Sequence, residues 1–149
     1  MPTPPLRVRP VTLAAILPLR HAILRPGLPL ATAHFDGDDD PTTMHLAAVL
    51  DADDAVVGCA TLMARPYRNH PAWQLRGMAT RADLARRGVG RAVLAAAEAL
   101  VRERGNPLVL WCNARLAAVP FYQSGGWRVV SEEFDIPGVG PHHVMVREL

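Results

Sequence analysis

A glycine-rich turn between an apolar strand and an amphipathic helix constrains this chain more than any other feature. The turn is Ala85–Gly90 (ARRGVG). A strand is predicted before it at Trp73–Thr80, and a helix after it at Val89–Arg104. Gly88 and Gly90 carry no side chains, so ligand oxygens can approach the backbone closely. The amide groups of a first helical turn lack intrahelical partners, and with the helix dipole they form an anion site. The turn therefore predicts phosphate binding.

Several phosphate-binding classes compete for such a turn, to which Arg86, Arg87 and Arg91 add charged donors. A P-loop requires a lysine, and the chain has none. A dinucleotide site requires a third glycine, where the chain has Val93. It also requires an acid after the next strand, which ends in Asn113. The turn alone leaves two interpretations open, a site for the pyrophosphate of coenzyme A and a helix start with a solvated arginine face.

Composition excludes several other classes of protein. The chain has 149 residues and a net charge of +2, and half of its residues are hydrophobic and a fifth are charged. This length and composition predict one globular domain spanning residues 1–149. The sequence lacks the basic stripe that would predict nucleic-acid binding. It also has no apolar run that approaches the roughly 20 residues of a membrane span. Cys59 and Cys112 lie in apolar runs and are expected to be small buried hydrophobes. We expect a cytoplasmic protein in its reduced form, without a metal site.

The hydrophobic periodicity predicts the order β-α-β-β-β-α-β-α-β-β. The predicted strands are Leu6–Pro10, Met44–Asp51, Val56–Arg65, Trp73–Thr80, Leu108–Asn113, Trp127–Ile136 and His143–Glu148, and the predicted helices are Leu13–Leu24, Val89–Arg104 and Leu116–Ser124. Pro18 should kink or shorten the first helix, and Gly77 indicates a bulge or the close approach of another group. Glu98 is expected outside the apolar face of the second helix, paired with Arg102. The fold class is α/β, a mixed sheet with helices on its faces.

Two segments resemble signatures of the GCN5-related N-acetyltransferase (GNAT) family. Leu75–Arg104 is similar to the acetyl-CoA-binding motif [QR]-x-x-G-x-[GA], with Gly88 and Gly90 in the glycine positions and Ala85 where the family has Gln or Arg. Ala118–Trp127 (AVPFYQSGGW) resembles the signature A-x-x-x-Y-x-x-x-G-[FW]. Two motifs at the family's separation are more specific than either one, and the resemblance covers essentially the whole chain.

The resemblance implies an acyl-CoA N-acyltransferase fold, a central mixed twisted sheet flanked by helices, in a small bacterial member of the family. It implies transfer of the acetyl group of acetyl-CoA to a primary amine of a small molecule or peptide, by direct attack. A non-catalytic coenzyme A sensor or binding module on the same fold is the alternative. Members often form dimers, so a homodimer stays open.

The resemblance also assigns site residues. The residues expected to bind the cofactor are Met78, Ala79 and Thr80 along the pantetheine arm, Arg86, Arg87, Gly88, Val89, Gly90 and Arg91 around the pyrophosphate, and Asn113 and Phe121. Tyr122 matches the family tyrosine that protonates or hydrogen-bonds the departing thiolate. Asn113 has a second interpretation, as the N-cap of a helix beginning at Ala114.

The base that removes the proton of the amine has several candidates. They are His142, His143, His45 and a chain of water molecules, since a histidine titrates near neutrality. His142, in a Pro-His-x-x-Met pattern, is our prediction, and the alternative is a strand-edge histidine that bonds the backbone. The acidic run Asp36–Asp40 either attracts a cationic amine or is a solvated turn.

Overall fold

The predicted order of strands and helices is present, with one additional strand near the end of the chain. The structure is a computed structural model that describes residues 2–149. In chain order its elements are β1 (Leu6–Val11), α1 (Leu13–Leu24), β2 (Met44–Leu50), β3 (Val56–Ala64), β4 (Trp73–Thr80), α2 (Val89–Arg104), β5 (Val109–Arg115), α3 (Val119–Ser124), β6 (Arg128–Val129), β7 (Phe134–Ile136) and β8 (Gly140–Glu148). None of the helices in this described part is long and apolar enough to cross a membrane.

The strands form one mixed sheet that opens in its middle. Its order is β1-β2-β3-β4-β5-β8-β6, and β7 pairs with β8. All pairs are antiparallel except β4 with β5. These two parallel strands pair only at Trp73 with Leu110 and at Gln74 with Trp111, although both strands continue beyond these residues. The two strands therefore diverge, and the later backbone of β4 has no strand partner on that side.

Helices cover both faces of the sheet, as the sequence predicts. One face packs on α2, whose apolar stripe of Val89, Val93, Leu94, Ala97 and Val101 is buried in the larger core. The other face packs on α1 through Ile16, in a smaller core. Cys59 and Cys112 are buried free thiols, as expected.

A bulge in β4 changes which side chains face which core. Cys59 pairs with Ala79 and Thr61 with Arg76, so Gly77 and Met78 together oppose one residue of β3. Gly77 has a φ of +61°, and a Cβ there would lie 2.9 Å from Nε of Arg20. Both expectations for Gly77, a bulge and a close approach, are confirmed.

A shortened first helix and a single strand at Trp127–Ile136 are both contradicted by the structure. Helix α1 is not shortened at Pro18 but continues to Leu24, because its apolar residues pack on the sheet and tertiary packing outweighs the cost of the missing amide. The strand predicted at Trp127–Ile136 is two short strands. Between them the Ser131 hydroxyl accepts the amide of Val144 at 2.8 Å, so that a side chain replaces the backbone ladder.

Glu98 is buried rather than exposed. Its Oε2 accepts a hydrogen bond from Nε1 of Trp127 at 3.2 Å, and its Oε1 lies 3.6 Å from Nε of Arg147. The expected pair with Arg102 is therefore wrong. Glu98 satisfies the indole of a core tryptophan, which the periodicity of α2 alone does not reveal.

Candidate active site

A cleft of about 450 Å³ lies between the end of β4, the glycine turn and α3. We call it the glycine-turn cleft. It is lined by Met78, Ala79, Thr80, Ala85, Arg86, Gly88, Gly90, Arg91, Ala118, Phe121 and Tyr122. Nine of the residues that the family motifs imply for cofactor or catalysis thus come together in one cleft, from three separate stretches of the chain.

The backbone of the glycine turn forms one wall of the cleft. Gly88 is the residue before α2 and has a φ of +87°, a left-handed conformation that suits glycine. A Cβ added to Gly90 would lie 3.5 Å from Cζ of Phe121 and 3.7 Å from Oγ1 of Thr80. Because Gly90 has no side chain, the backbone of the first turn of α2 borders the open space of the cleft. An anion at this helix N-terminus can therefore reach the backbone amides.

The three arginines of the turn have different surroundings. Arg86 is exposed and lines the cleft. Arg91 lies 4.6 Å from the ring centroid of Phe121 and donates to its carbonyl at 3.2 Å. Arg87 donates to the carbonyl of Pro2 at 3.2 Å and is not part of the lining. Val89 is fully buried in the core, so only its backbone is available to a ligand.

A second cavity, of about 230 Å³, adjoins the first where β4 and β5 diverge. We call it the arginine cavity. Its lining comprises Leu24, Arg25, Phe35, Gln74, Leu75, Arg76, Gly77, Met78, Cys112, Asn113, Ala114, Arg115, Ala118, Tyr122, Ile136, Val139 and His142. Met78, Ala118 and Tyr122 line both cavities, so the two spaces meet at these side chains.

Tyr122 is held rigidly at this junction. Its hydroxyl donates to Sδ of Met78 at 3.5 Å, and its ring packs 5.2 Å from the rings of Phe121 and Trp127. Burial, with a further contribution from Cys112, raises the pKa of the Tyr122 phenol well above its ordinary value. The phenol therefore stays protonated at neutral pH and is a proton donor.

His142 is the one among the three candidate histidines that lines the arginine cavity. Its Nδ1 lies 2.7 Å from the carbonyl oxygen of Gly140. A carbonyl only accepts, so Nδ1 carries the hydrogen and Nε2 of the neutral ring keeps its lone pair. His45 is instead held by Thr61 and the carbonyl of Asp38, and His143 contacts the carbonyl of Ser131.

Asn113 lies inside β5, opposite Val144, so its interpretation as a helix cap is wrong. It lines the arginine cavity and not the glycine-turn cleft. Its assignment to the pantetheine arm stays a prediction.

The acidic run is divided between one buried carboxylate and several exposed ones. Asp38 is buried and pairs with the fully buried Arg20, with Nη1 2.7 Å from its Oδ2. Asp36 lies beside Arg65, and Asp39 beside His34. The solvated-turn interpretation holds for the exposed members and is wrong for Asp38, which is a buried structural carboxylate.

Sequence reasoning missed the lining residues Arg25, Phe35, Arg76 and Arg115. The alternation of Gln74 and Arg76 along β4 was the available signal, since both project to the same face before the bulge. Arg25 begins the long segment between α1 and β2 and Phe35 lies within it, and the path of this segment has no periodic signature. Within residues 2–149, no group of three or more His, Cys, Asp or Glu side chains is arranged to hold a metal ion.

Comparisons with known proteins agree with the family that the two motifs indicate. The model of the acetyltransferase (GNAT) family matches residues 17–127. A protein of Bacillus subtilis (strain 168), named uncharacterized N-acetyltransferase YitI, is 31% identical over 145 residues, which is 97% of each chain. A solved GCN5-related N-acetyltransferase from Kribbella flavida is 27% identical, covers 97% of this chain and 98% of its own, and has a TM-score of 0.71.

A more distant structure shares the fold. An aminoglycoside 6'-N-acetyltransferase, solved in complex with coenzyme A, is 13% identical and has a TM-score of 0.75 over 95% of this chain and 96% of its own. Family model, relative and architecture agree, and this chain is an acetyltransferase that belongs to the GNAT family.

Proposed function

We propose that this protein transfers the acetyl group of acetyl-CoA to a primary amine by direct attack. Coenzyme A occupies the glycine-turn cleft, and the amine enters from the arginine cavity. The observation that carries the proposal is the meeting of the two cavities at Tyr122 and Met78. A bisubstrate reaction needs two spaces that converge on one reactive point, since holding the partners in line lowers the barrier.

The glycine-turn cleft has the features that coenzyme A requires. The first turn of α2 and the side chain of Arg86 supply donors for a pyrophosphate. The pantetheine arm is an amide chain, and the unpaired side of β4 beyond Gln74 offers backbone groups to it. Phe121, braced by Arg91, adds an apolar wall. Arg87 and Val89 contribute through the backbone of the turn.

Acetyl-CoA supplies the thioester: the amine nitrogen bonds to the carbonyl carbon, the C–S bond breaks, and coenzyme A leaves as the thiol. The backbone amides at the bulge, near Met78 and Ala79, are the candidates to stabilise the negative charge on the carbonyl oxygen. Tyr122, which burial keeps protonated, donates a proton to the departing sulfur. His142 accepts the amine proton at Nε2, directly or through water.

Thermal unfolding with acetyl-CoA, with ATP and NAD as controls, tests the cofactor. A ligand at a hundred times its Kd stabilises by about 2.7 kcal/mol, which is several degrees for a domain of this size. A shift specific to acetyl-CoA supports the proposal, and equal shifts with ATP or NAD contradict it. Thiol release in the presence of amines then tests transfer. Binding without release from any amine would make the protein a coenzyme A-binding module.

A further inference from the structure

The arginine cavity is strongly positive. Arg25, Arg76 and Arg115 line it, together with His142. Among the described residues of its lining there is neither an aspartate nor a glutamate. Asp38, a buried carboxylate whose charge acts on Arg76, is already engaged by both terminal nitrogens of Arg20. The positive charge of the cavity is therefore not balanced by its own walls.

Two of these arginines converge on one aromatic ring. The guanidinium carbon of Arg76 lies 4.6 Å from the ring centroid of Phe35, and that of Arg25 lies 5.6 Å from it. Within residues 2–149, Arg76 forms no ion pair, and the one side-chain hydrogen bond of Arg25 goes to the carbonyl of the adjacent Leu24. Both guanidinium groups thus lie against the ring of Phe35 at the cavity wall, and each keeps donors that are free for bidentate binding of a carboxylate.

The electrostatics of Arg76 agree with this geometry. Burial lowers the pKa of Arg76, as do the neighbouring charges of Arg65, Arg20 and Arg25, while Asp38 opposes them. A partly desolvated cation among like charges is stabilised by a bound anion, because the anion offsets both effects.

The volume and charge of the cavity also limit what enters it. About 230 Å³ is below the roughly 300–1,000 Å³ of pockets for drug-sized ligands. A polycationic amine would meet three uncompensated arginines, and like charges at close range are repelled. Both observations favour a compact acceptor that is not a polycation.

We propose that the acceptor is a small primary amine that also carries a carboxylate, an amino acid in the broad sense. Arg25 and Arg76 bind the carboxylate, and Arg115 adds positive charge at the mouth of the cavity. The amine then lies toward Tyr122 and His142. This inference rests on the proposed function, because it names the acceptor of that same reaction.

Binding tests the inference without turnover. The protein saturated with coenzyme A is titrated calorimetrically with the α-amino acids, β-alanine and γ-aminobutyrate, and with the primary amide of each. At least one acid should bind tenfold or more tightly than its amide. Amidation removes a negative charge and so raises the neutral fraction of the amine, which would favour the amide if the carboxylate were irrelevant. Tighter binding of amides, putrescine or O-phosphoethanolamine than of every acid overturns the inference.

Substitutions then locate the carboxylate. Arg76→Gln and Arg25→Gln should each weaken the binding of the preferred acid about tenfold or more, since a hydrogen bond to a charged group is lost. The binding of its amide should be unchanged. The matched control is Arg102→Gln, an exposed arginine on α2 outside both cavities. Equal weakening of acid and amide would mean a structural role and contradicts the assignment. If Arg76→Gln fails to fold, Arg25→Gln gives the same readout.

Thiol release separates the two proposals. Transfer to neutral or cationic amines, with acids inert, would overturn the acceptor class and leave the acetyltransferase proposal intact. Binding of an acid without thiol release would overturn the proposed transfer and leave the carboxylate site intact. The expected result is transfer to the acid, with a KM that Arg76→Gln raises and a kcat that it changes little.

Discussion

The hydroxyl of Tyr122 lies 3.5 Å from Sδ of Met78, and these two side chains stand where the glycine-turn cleft and the arginine cavity meet. Met78 reaches this point because the bulge at Gly77 turns it out of the regular alternation of β4. Tyr122 reaches it from α3, a helix of six residues whose end is fixed by the amide of Trp127 donating to the Tyr122 carbonyl at 3.1 Å. The junction is thus formed by two independent local features, the bulge in β4 and the end of α3.

Tyr122→Phe should lower kcat by about 100-fold or more and leave the Kd of acetyl-CoA nearly unchanged. The variant removes the proton donor and keeps the ring, and general acid catalysis contributes on the order of 10²–10⁴. Tyr67→Phe is the matched control, since Tyr67 is the other tyrosine of the chain and lies outside both cavities. Steady-state kinetics and calorimetric titration measure the two quantities. An unchanged kcat for Tyr122→Phe would exclude the tyrosine as the acid.

His142→Gln should lower kcat by about 100-fold, because it removes the group proposed to accept the amine proton. The amide side chain keeps a polar group in place but accepts no proton near neutrality. His143→Gln is the comparison, because the adjacent histidine contacts the carbonyl of Ser131 and is outside the cavity lining. A kcat that is the same in His142→Gln and the wild type would assign the proton transfer to water instead.

Gly90→Asp should weaken the binding of coenzyme A roughly 100-fold or more, and the variant should still fold. The nearest atoms to a new Cβ are 3.5 Å away, which is ordinary contact, but the carboxylate would lie beside the pyrophosphate and repel it. Ala95→Asp places the same charge on the exposed face of α2 and should bind coenzyme A normally. Calorimetric titration gives the affinity, and the thermal midpoint reports the fold. Unchanged affinity would mean that the pyrophosphate binds elsewhere.

Elements with a strong local signature could be predicted from the sequence. The glycine turn is contiguous, and its helix has a clear apolar stripe, so the α2 boundaries agree with the prediction. Tyr122 was found through a motif within ten residues. In each case the residues that carry the signal are close together in the sequence, where hydrophobic periodicity and motif spacing are informative.

The parts that could not be predicted depend on contacts that are distant in sequence. Arg20 bonds to Asp38 and to Thr61, which are 18 and 41 residues away. Phe35 and Arg76 meet because a long loop folds back over the sheet. The path of a loop without hydrophobic periodicity cannot be predicted from its sequence. The arginine cavity could therefore not be predicted, because its residues come together only through the path of this loop.

Asp38→Asn should destabilise the protein by about 3–5 kcal/mol. The substitution leaves the buried guanidinium of Arg20 without its counter-ion, and an uncompensated buried charge costs this much. Burial alone raises the pKa of Asp38, but the hydrogen bonds from Arg20 and Phe35 outweigh it and hold the pKa below its ordinary value. Asp36→Asn, at an exposed position, should change the free energy of unfolding by less than about 0.5 kcal/mol. Urea unfolding of both variants gives the comparison, and similar values would show that the buried pair contributes little.

The buried thiols predict an alkaline loss of stability. Burial raises the pKa of Cys59 from 9.0 to about 11, and that of Cys112 to about 12. Between pH 9 and pH 11 the thiols ionise in the unfolded chain and stay largely protonated in the fold. The unfolded state then binds fewer protons, so the free energy of unfolding falls as pH rises, by roughly 2 kcal/mol for Cys59 at pH 11.

Cys59→Ala isolates this effect from the other groups that titrate in the same range. The variant starts less stable, because it removes a buried sulfur, but its free energy of unfolding should decline less steeply than that of the wild type between pH 9 and pH 11. The two curves should therefore converge as pH rises. Parallel curves would show that the folded and unfolded thiols ionise alike, in which case Cys59 is accessible to solvent and the core between α1 and the sheet is looser than its packing indicates.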